Sequence, residues 1–238
     1  MRSTASRSTP QAKACATEAL QFTLDRASLI ATMPSDDDLR QHWKTYGLRI
    51  KRRNLIAAAL SGAAFVWISL HYFPHSTPGI AGGFLLGFLY ANGFEYCLHR
   101  FILHAGHGFF GDQHMVHHTT LSSPEAPRYV NFSRNPAGVV ALFIANCAPL
   151  LLVEWIFRNG WMAGAFASFS VYYVLFEEIH WRTHMGGWLP SWLRGAARHH
   201  MLHHARDTGS FNVFLPLFDW LMAGPNPQPV STRDSARR

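Results

Sequence analysis

Ten of the fifteen histidines in this 238-residue chain fall into four clusters with recurring spacing. His99 and His104 read HxxxxH, His114, His117 and His118 read HxxHH, His180 and His184 read HxxxH, and His200, His203 and His204 read HxxHH again. By chance a chain of this composition holds about 0.06 HxxHH triplets, so two of them point to a metal site. Imidazole is a ligand for zinc, copper, iron and nickel. Ten imidazoles exceed the four or six positions around one ion, and two metals are the economical reading.

The spacing fits helices. Positions i, i+3 and i+4 share one helical face, so each triplet can converge on one side, and His180 and His184 are likewise cofacial. His99 and His104 lie five apart, about 140° around an ideal helix. They are expected to flank a site rather than share one ligand face.

The elements that carry these clusters are written in the charge pattern. Residues 55–70, 76–94, 136–153 and 159–176 contain no Asp, Glu, Lys or Arg, and runs of this length approach the ~20 residues that cross a ~30 Å hydrocarbon core. The reading is an all-α integral-membrane bundle of four transmembrane helices, with no alternating strand pattern. Basic residues gather before the first run (Arg49, Lys51, Arg52, Arg53), between the second and third (Arg128, Arg134) and after the fourth (Arg182, Arg194, Arg198, Arg206), while the other two links carry only Arg158. That asymmetry places both termini, the middle loop and the His-rich dimetal site on the cytoplasmic side.

The formal net charge of +7 is met by anionic lipid headgroups rather than nucleic acid, because the basic residues flank apolar runs and no recognition motif is present. Cys15, Cys97 and Cys147 are too few and too scattered for a disulfide framework and fit a reducing compartment. Cys147, inside an apolar run, is a packing residue. Residues 1–16 read as a disordered tail, with an organellar targeting peptide as the sharper alternative. Ser35 and Asp38 resemble a capping box opening a polar interfacial helix, and the stretch after Gly224 is rich in Pro and polar residues.

Several neighbours of the clusters are candidates for supporting roles. Glu95 is four residues before His99, and Glu177 precedes His180 by three. A carboxylate so placed can accept the second imidazole N–H and orient the ring, or stand as a solvated headgroup-level acid, as can Glu178. Asp219 reads as a structural hydrogen-bond acceptor and Glu154 as an interfacial charge near the outer surface. His107 and His199 lie beside the clusters without matching them, and His42, His71 and His75 read as interfacial. Arg100, Arg182 and Arg198 serve as topology determinants or as ligands for an acyl headgroup. Trp181, Trp188 and Trp192 suit an aromatic belt.

The runs EYCLHRFILH (95–104), HMVHH (114–118), EEIHWRTH (177–184) and HHMLHH (199–204) resemble the fatty acid hydroxylase and sterol desaturase superfamily of membrane-bound di-iron enzymes, and their order is most similar to the fatty acid 2-hydroxylases. SFNVFLPLFDWLMAG (210–224) is similar to the family's segment after the last histidines. The resemblance covers about residues 85–224. It implies that the ten clustered histidines hold two iron ions, with zinc as a metal the isolated protein can carry, and that O₂ is the co-substrate. With the composition of the two ends, the chain divides into an N-terminal polar tail and interfacial helix (1–50), a membrane-bound hydroxylase domain (51–224) and a disordered tail (225–238).

Two departures from the family pattern carry expectations. Asn212 stands where the family often has Gly, which suits a site of positive φ, since Asn adopts it readily. The interval from His104 to His114 is shorter than in the eukaryotic 2-hydroxylases, so the loop it forms differs. The first fifty residues are too short for a fused cytochrome b5 and lack a haem-binding signature. A separate donor, cytochrome b5-, ferredoxin- or rubredoxin-like, is expected to supply electrons.

The reading favoured by these residues is hydroxylation of a lipid acyl chain. Desaturation of a sterol or acyl lipid fits the same residues. A metal transporter or sensor without turnover would place its ligands near the bilayer midplane, whereas these histidines follow the apolar runs on one side.

Overall fold

The computed structural model describes residues 34–104, 108–206 and 209–222, and all its regular elements are helical. The readings for residues 1–16, Cys15, His107 and the tail 225–238 lie outside the described residues. Pro34–Leu39 belongs to an N-terminal unit, and the chain from Arg40 forms a second unit that contains the histidines. The N-terminal unit shows the expected capping box: Asp38 N–H donates to Ser35 Oγ at 3.1 Å and Ser35 N–H donates to Asp38 Oδ2 at 3.3 Å.

Helix α1 spans Asp36–Tyr72 and α2 spans Thr77–Cys97, opened by the Ser76 hydroxyl, which accepts from Gly79 N–H at 3.2 Å. A π-helical segment, Leu98–Leu103, continues α2, and α3 follows at Phe109–Thr119. Helix α4, Pro136–Phe157, starts at the Asn135 side chain, which accepts from Ala137 N–H at 2.9 Å, with Pro136 placed where its missing N–H costs nothing. Helices α5 (Met162–Met185), α6 (Arg194–Arg206) and the short α7 (Leu217–Met222) complete the fold.

Of the four apolar runs, those in α1 and α4 form helices long and apolar enough to cross a membrane. Helices α2 and α5 have 21 and 24 residues, which is sufficient length at 1.5 Å per residue. Their apolarity is diluted because they pack on each other and carry the polar interior: Asn92 and Glu95 on α2, Ser168 and Glu177 on α5, all buried. The close approach depends on glycine. A Cβ on Gly83 would strike the Trp161 carbonyl, and one on Gly164 would strike the Ile80 carbonyl, the small-residue packing typical of helices that meet without intervening side chains.

The outward faces are apolar. Leu60 is 66% exposed, Leu85 72% and Trp155 62%, which inverts the usual rule for a water-soluble surface and suits contact with lipid. Phe143, Phe166, Tyr172 and Cys147 fill the centre.

Glu154 departs from the outer-surface reading: it is fully buried, and its Oε1 accepts Gly160 N–H at 2.8 Å, closing the turn between α4 and α5. Trp188 and Trp192 are exposed as expected of a belt, but Trp181 is buried beneath Lys51 and against the backbone of α1 at Gly47.

Candidate metal centre

All ten clustered histidines meet at one end of the helices, in two sets of five. His99, His104, His114, His118 and His203 form centre A, and His117, His180, His184, His200 and His204 form centre B, with the ligand atoms of each set within 4.8 Å of one another. The centres adjoin, since the His118 and His204 rings lie 4.2 Å apart.

The π-helical segment overturns the expectation that His99 and His104 merely flank the site. His104 N–H donates to His99 carbonyl at 3.1 Å, the i→i+5 bond of a π-helix. Widening the turn stacks residue i+5 over residue i, and the two rings come to 5.1 Å. A spacing that fails on an α-helix thereby brings both rings into one set.

The triplets also behave otherwise than as single-face sets. At 3.6 residues per turn, i+4 lies about 40° to one side of i and i+3 about 60° to the other. On α3, His114 and His118 therefore enter centre A while His117 enters centre B; on α6, His200 and His204 enter B while His203 enters A. Each triplet spans both centres.

The nitrogen spacing fits metal ligation. In centre A the Nε2 atoms of His99 and His114, His104 and His114, and His114 and His118 face each other at 3.0 Å, and those of His104 and His203 at 2.8 Å. In centre B, His200 Nε2 lies 3.0 Å from both His184 Nε2 and His204 Nε2. Two nitrogens bound at right angles by bonds of about 2.0–2.1 Å lie roughly 2.9 Å apart, against about 3.4 Å in a tetrahedron. Five donors at right-angle spacing suit an ion of five or six coordination. His117 Nε2 and His180 Nε2 are buried without any hydrogen-bond partner, a costly condition that a metal relieves.

Electrostatics prepares the ring nitrogens. Burial, reinforced by the neighbouring imidazoles, pushes His99, His114, His117, His200 and His204 well below the ordinary histidine range. They are neutral near pH 7, the state in which imidazole ligates metal.

Backbone carbonyls orient two of the rings. His99 Nδ1–H donates to Phe211 O, and His203 Nδ1–H donates to Gly209 O at 2.7 Å, which fixes the tautomer with Nε2 turned inward. The segment supplying Phe211 O is clamped by two acids. Asp219 accepts Phe211 N–H and Asn212 N–H, both at 2.8 Å, and Glu95 accepts Val213 N–H at 2.6 Å.

Glu95 thus supports the histidines through the backbone, and also binds the Tyr172 hydroxyl and Asn212 Nδ2. Glu177 accepts Phe132 N–H at 3.3 Å, and Glu178 pairs with Lys51 and Arg182. Asp219 is the structural acceptor expected, and it also binds His199 Nε2 at 2.9 Å, which keeps His199 out of both centres.

Asn212 acts through its side chain. Positive φ falls on Gly209 and Ser210 instead, while Asn212 Nδ2 donates to Asn92 O at 3.0 Å, tying the segment to α2. Asn92 lies 120 residues from Asn212 in the chain, so their association is absent from the sequence pattern.

A cavity opens on both centres, lined by His99, His114, His117, His180 and His200. Glu95, Leu98, Phe132 and Phe176 separate it from a second, apolar cavity between the helices. The apolar space between the helices thus abuts the space at the histidines across these four shared walls.

This architecture defines an all-helical protein with two adjoining five-histidine centres above an apolar cavity. The chain belongs to the fatty acid hydroxylase family, whose pattern it matches over residues 84–224. Among solved structures it is similar in fold to full-length Scs7p, of which only the hydroxylase domain is visible, with 22% identity and a TM-score of 0.52, covering 71% of this chain. The chain spans 64% of the length of that structure. No curated protein sequence matches it.

Proposed function

We propose that this chain is a membrane-bound, O₂-dependent di-iron hydroxylase of a lipid acyl chain. The carrying observation is the conjunction of two five-imidazole sets with an apolar cavity lined by members of both. Iron bound there supplies the O₂ activation needed to oxidise an unactivated C–H bond. In the balanced reaction one oxygen atom enters the chain as hydroxyl and the other leaves as water, using two protons and two electrons. A separate cytochrome b5-, ferredoxin- or rubredoxin-like donor provides the electrons.

The protein's own contribution is positional. Helices α1, α2, α4 and α5 cross the bilayer, with both termini and the centres on the cytoplasmic side, as the distribution of arginine favours. An acyl chain then enters laterally between helices past Phe94 and Phe169, and Leu98 and Phe176 direct a methylene toward the histidines. The apolar walls exclude bulk water from the oxidised carbon. His99 and His203, held by Phe211 O and Gly209 O, keep centre A's nitrogens fixed.

The test is mass spectrometry of lipids from a host with and without the expressed chain. A gain of one oxygen on an acyl lipid supports hydroxylation. A loss of two hydrogens assigns desaturation, and unchanged lipids under full iron and donor supply overturn the reading.

A further inference from the structure

A groove separate from the histidines runs along one face of α1 against the start of α4. Its upper walls carry Arg49, Arg53 and Arg134, and its lower walls carry Ile56, Leu60 and Val140. Asn54 Nδ2 donates to Ser133 O at 2.8 Å, which fixes the start of α4 beside Arg53 and so gathers the three arginines. No carboxylate lines the groove. Of the two acids that meet α1, Glu178 is already taken by Lys51 and Arg182, and Glu177 binds Asn54 and Phe132 N–H.

The arginines therefore lack a counter-charge among the described residues. Arg134 adds a more specific sign: its guanidinium stacks 4.6 Å over the Tyr129 ring, yet its Nε is buried with no acceptor. From Arg49 to Leu60 the groove face rises eleven residues along α1, about 16 Å. That is roughly one leaflet of the ~30 Å hydrocarbon core.

We propose that this groove binds an anionic phospholipid, its phosphate among Arg49, Arg53 and Arg134 and an acyl chain along Ile56, Leu60 and Val140. Arginine's planar fork suits phosphate oxygens, and the apolar continuation suits the chain. Arg134 also lines the cavity at the histidines, so the bound headgroup sits beside the entrance to the metal centre. The assignment rests on the membrane placement proposed above.

Native mass spectrometry of the full chain, released from nanodiscs of phosphatidylcholine with a minority of phosphatidylglycerol, tests this. The unaltered chain is expected to retain one phosphatidylglycerol and enrich it roughly tenfold over the bulk mixture, since clustered basic residues at the surface attract anionic lipid. The double variant R49Q/R53Q loses the enrichment. K44Q/R52Q removes the same charge from exposed α1 positions outside the groove and keeps it.

Equal loss in both doubles, or no enrichment in the unaltered chain, overturns the groove. Extraction with alkaline carbonate reads the premise separately. A chain washed off membranes overturns the membrane placement as well, whereas one retained without enrichment overturns the groove alone.

Discussion

His104 N–H donates to the carbonyl of His99 at 3.1 Å, and this i→i+5 bond lets a spacing unsuited to an α-helix bring both rings into one five-histidine set. Inserting one alanine between Phe101 and Ile102, both about half exposed, moves His104 out of register while leaving centre B's residues in place. The expected outcome is loss of one metal of two, measured by elemental analysis of the purified chain. Retention of both metals contradicts the role of the π-helical turn.

Because each triplet serves both centres, substitutions on one helix should deplete different metals. His203→Ala removes a ligand from centre A and His200→Ala one from centre B. Each variant should insert into membranes, retain about one metal and lose lipid oxidation by roughly 100-fold or more, given that even outer-sphere changes cost 10–100-fold. Loss of the same metal in both variants, distinguishable by their spectra, contradicts the partition.

Asp219 holds the segment whose carbonyl orients His99, and Asp219→Asn turns one of its acceptors into a donor aimed at backbone N–H. Activity should fall about 10–100-fold, with weaker retention of the centre A metal and unchanged retention at B. Equal weakening at both centres points to global loosening instead.

Glycines on α2 separate packing from flexibility. Gly82 has open space around its Cβ position, whereas Gly83 abuts the Trp161 backbone. Gly83→Ala should destabilise by about 1–3 kcal/mol, read as a lowered unfolding midpoint of the detergent-solubilised chain. Gly82→Ala should raise stability slightly or leave it unchanged, as expected where alanine fits the backbone.

Acid should unfold the metal-free protein. Burial lowers the folded-state pKa of His99, His114, His117, His200 and His204 below the ordinary imidazole value. The unfolded chain then binds more protons than the folded one once pH drops below about 6.5. Stability is complete above that value and falls progressively as pH descends toward the folded pKa values. Thermal unfolding at stepped pH checks this, and a flat profile between pH 7 and pH 5 contradicts it.

The helices and the ligands were legible because both leave local marks. The uncharged runs at 76–94 and 136–153 correspond closely to Thr77–Cys97 and Pro136–Phe157, since capping residues and prolines bound them. The histidine spacings named the ten nitrogens that converge.

Their assignment to centres was hidden, because a π turn and the 40° and 60° offsets within a triplet matter only when other helices supply the opposing ligands. The supports were hidden for the same reason. Glu95, Asn92, Asn212 and Asp219 meet across more than a hundred residues of sequence, and Glu154 is buried by a turn that its own side chain closes.

Metal stoichiometry of the purified full chain after expression with abundant iron bears most directly on the ten-histidine centre. Two metals per chain, with iron predominating, is the expected result. Less than one metal per chain under those conditions contradicts a dimetal site.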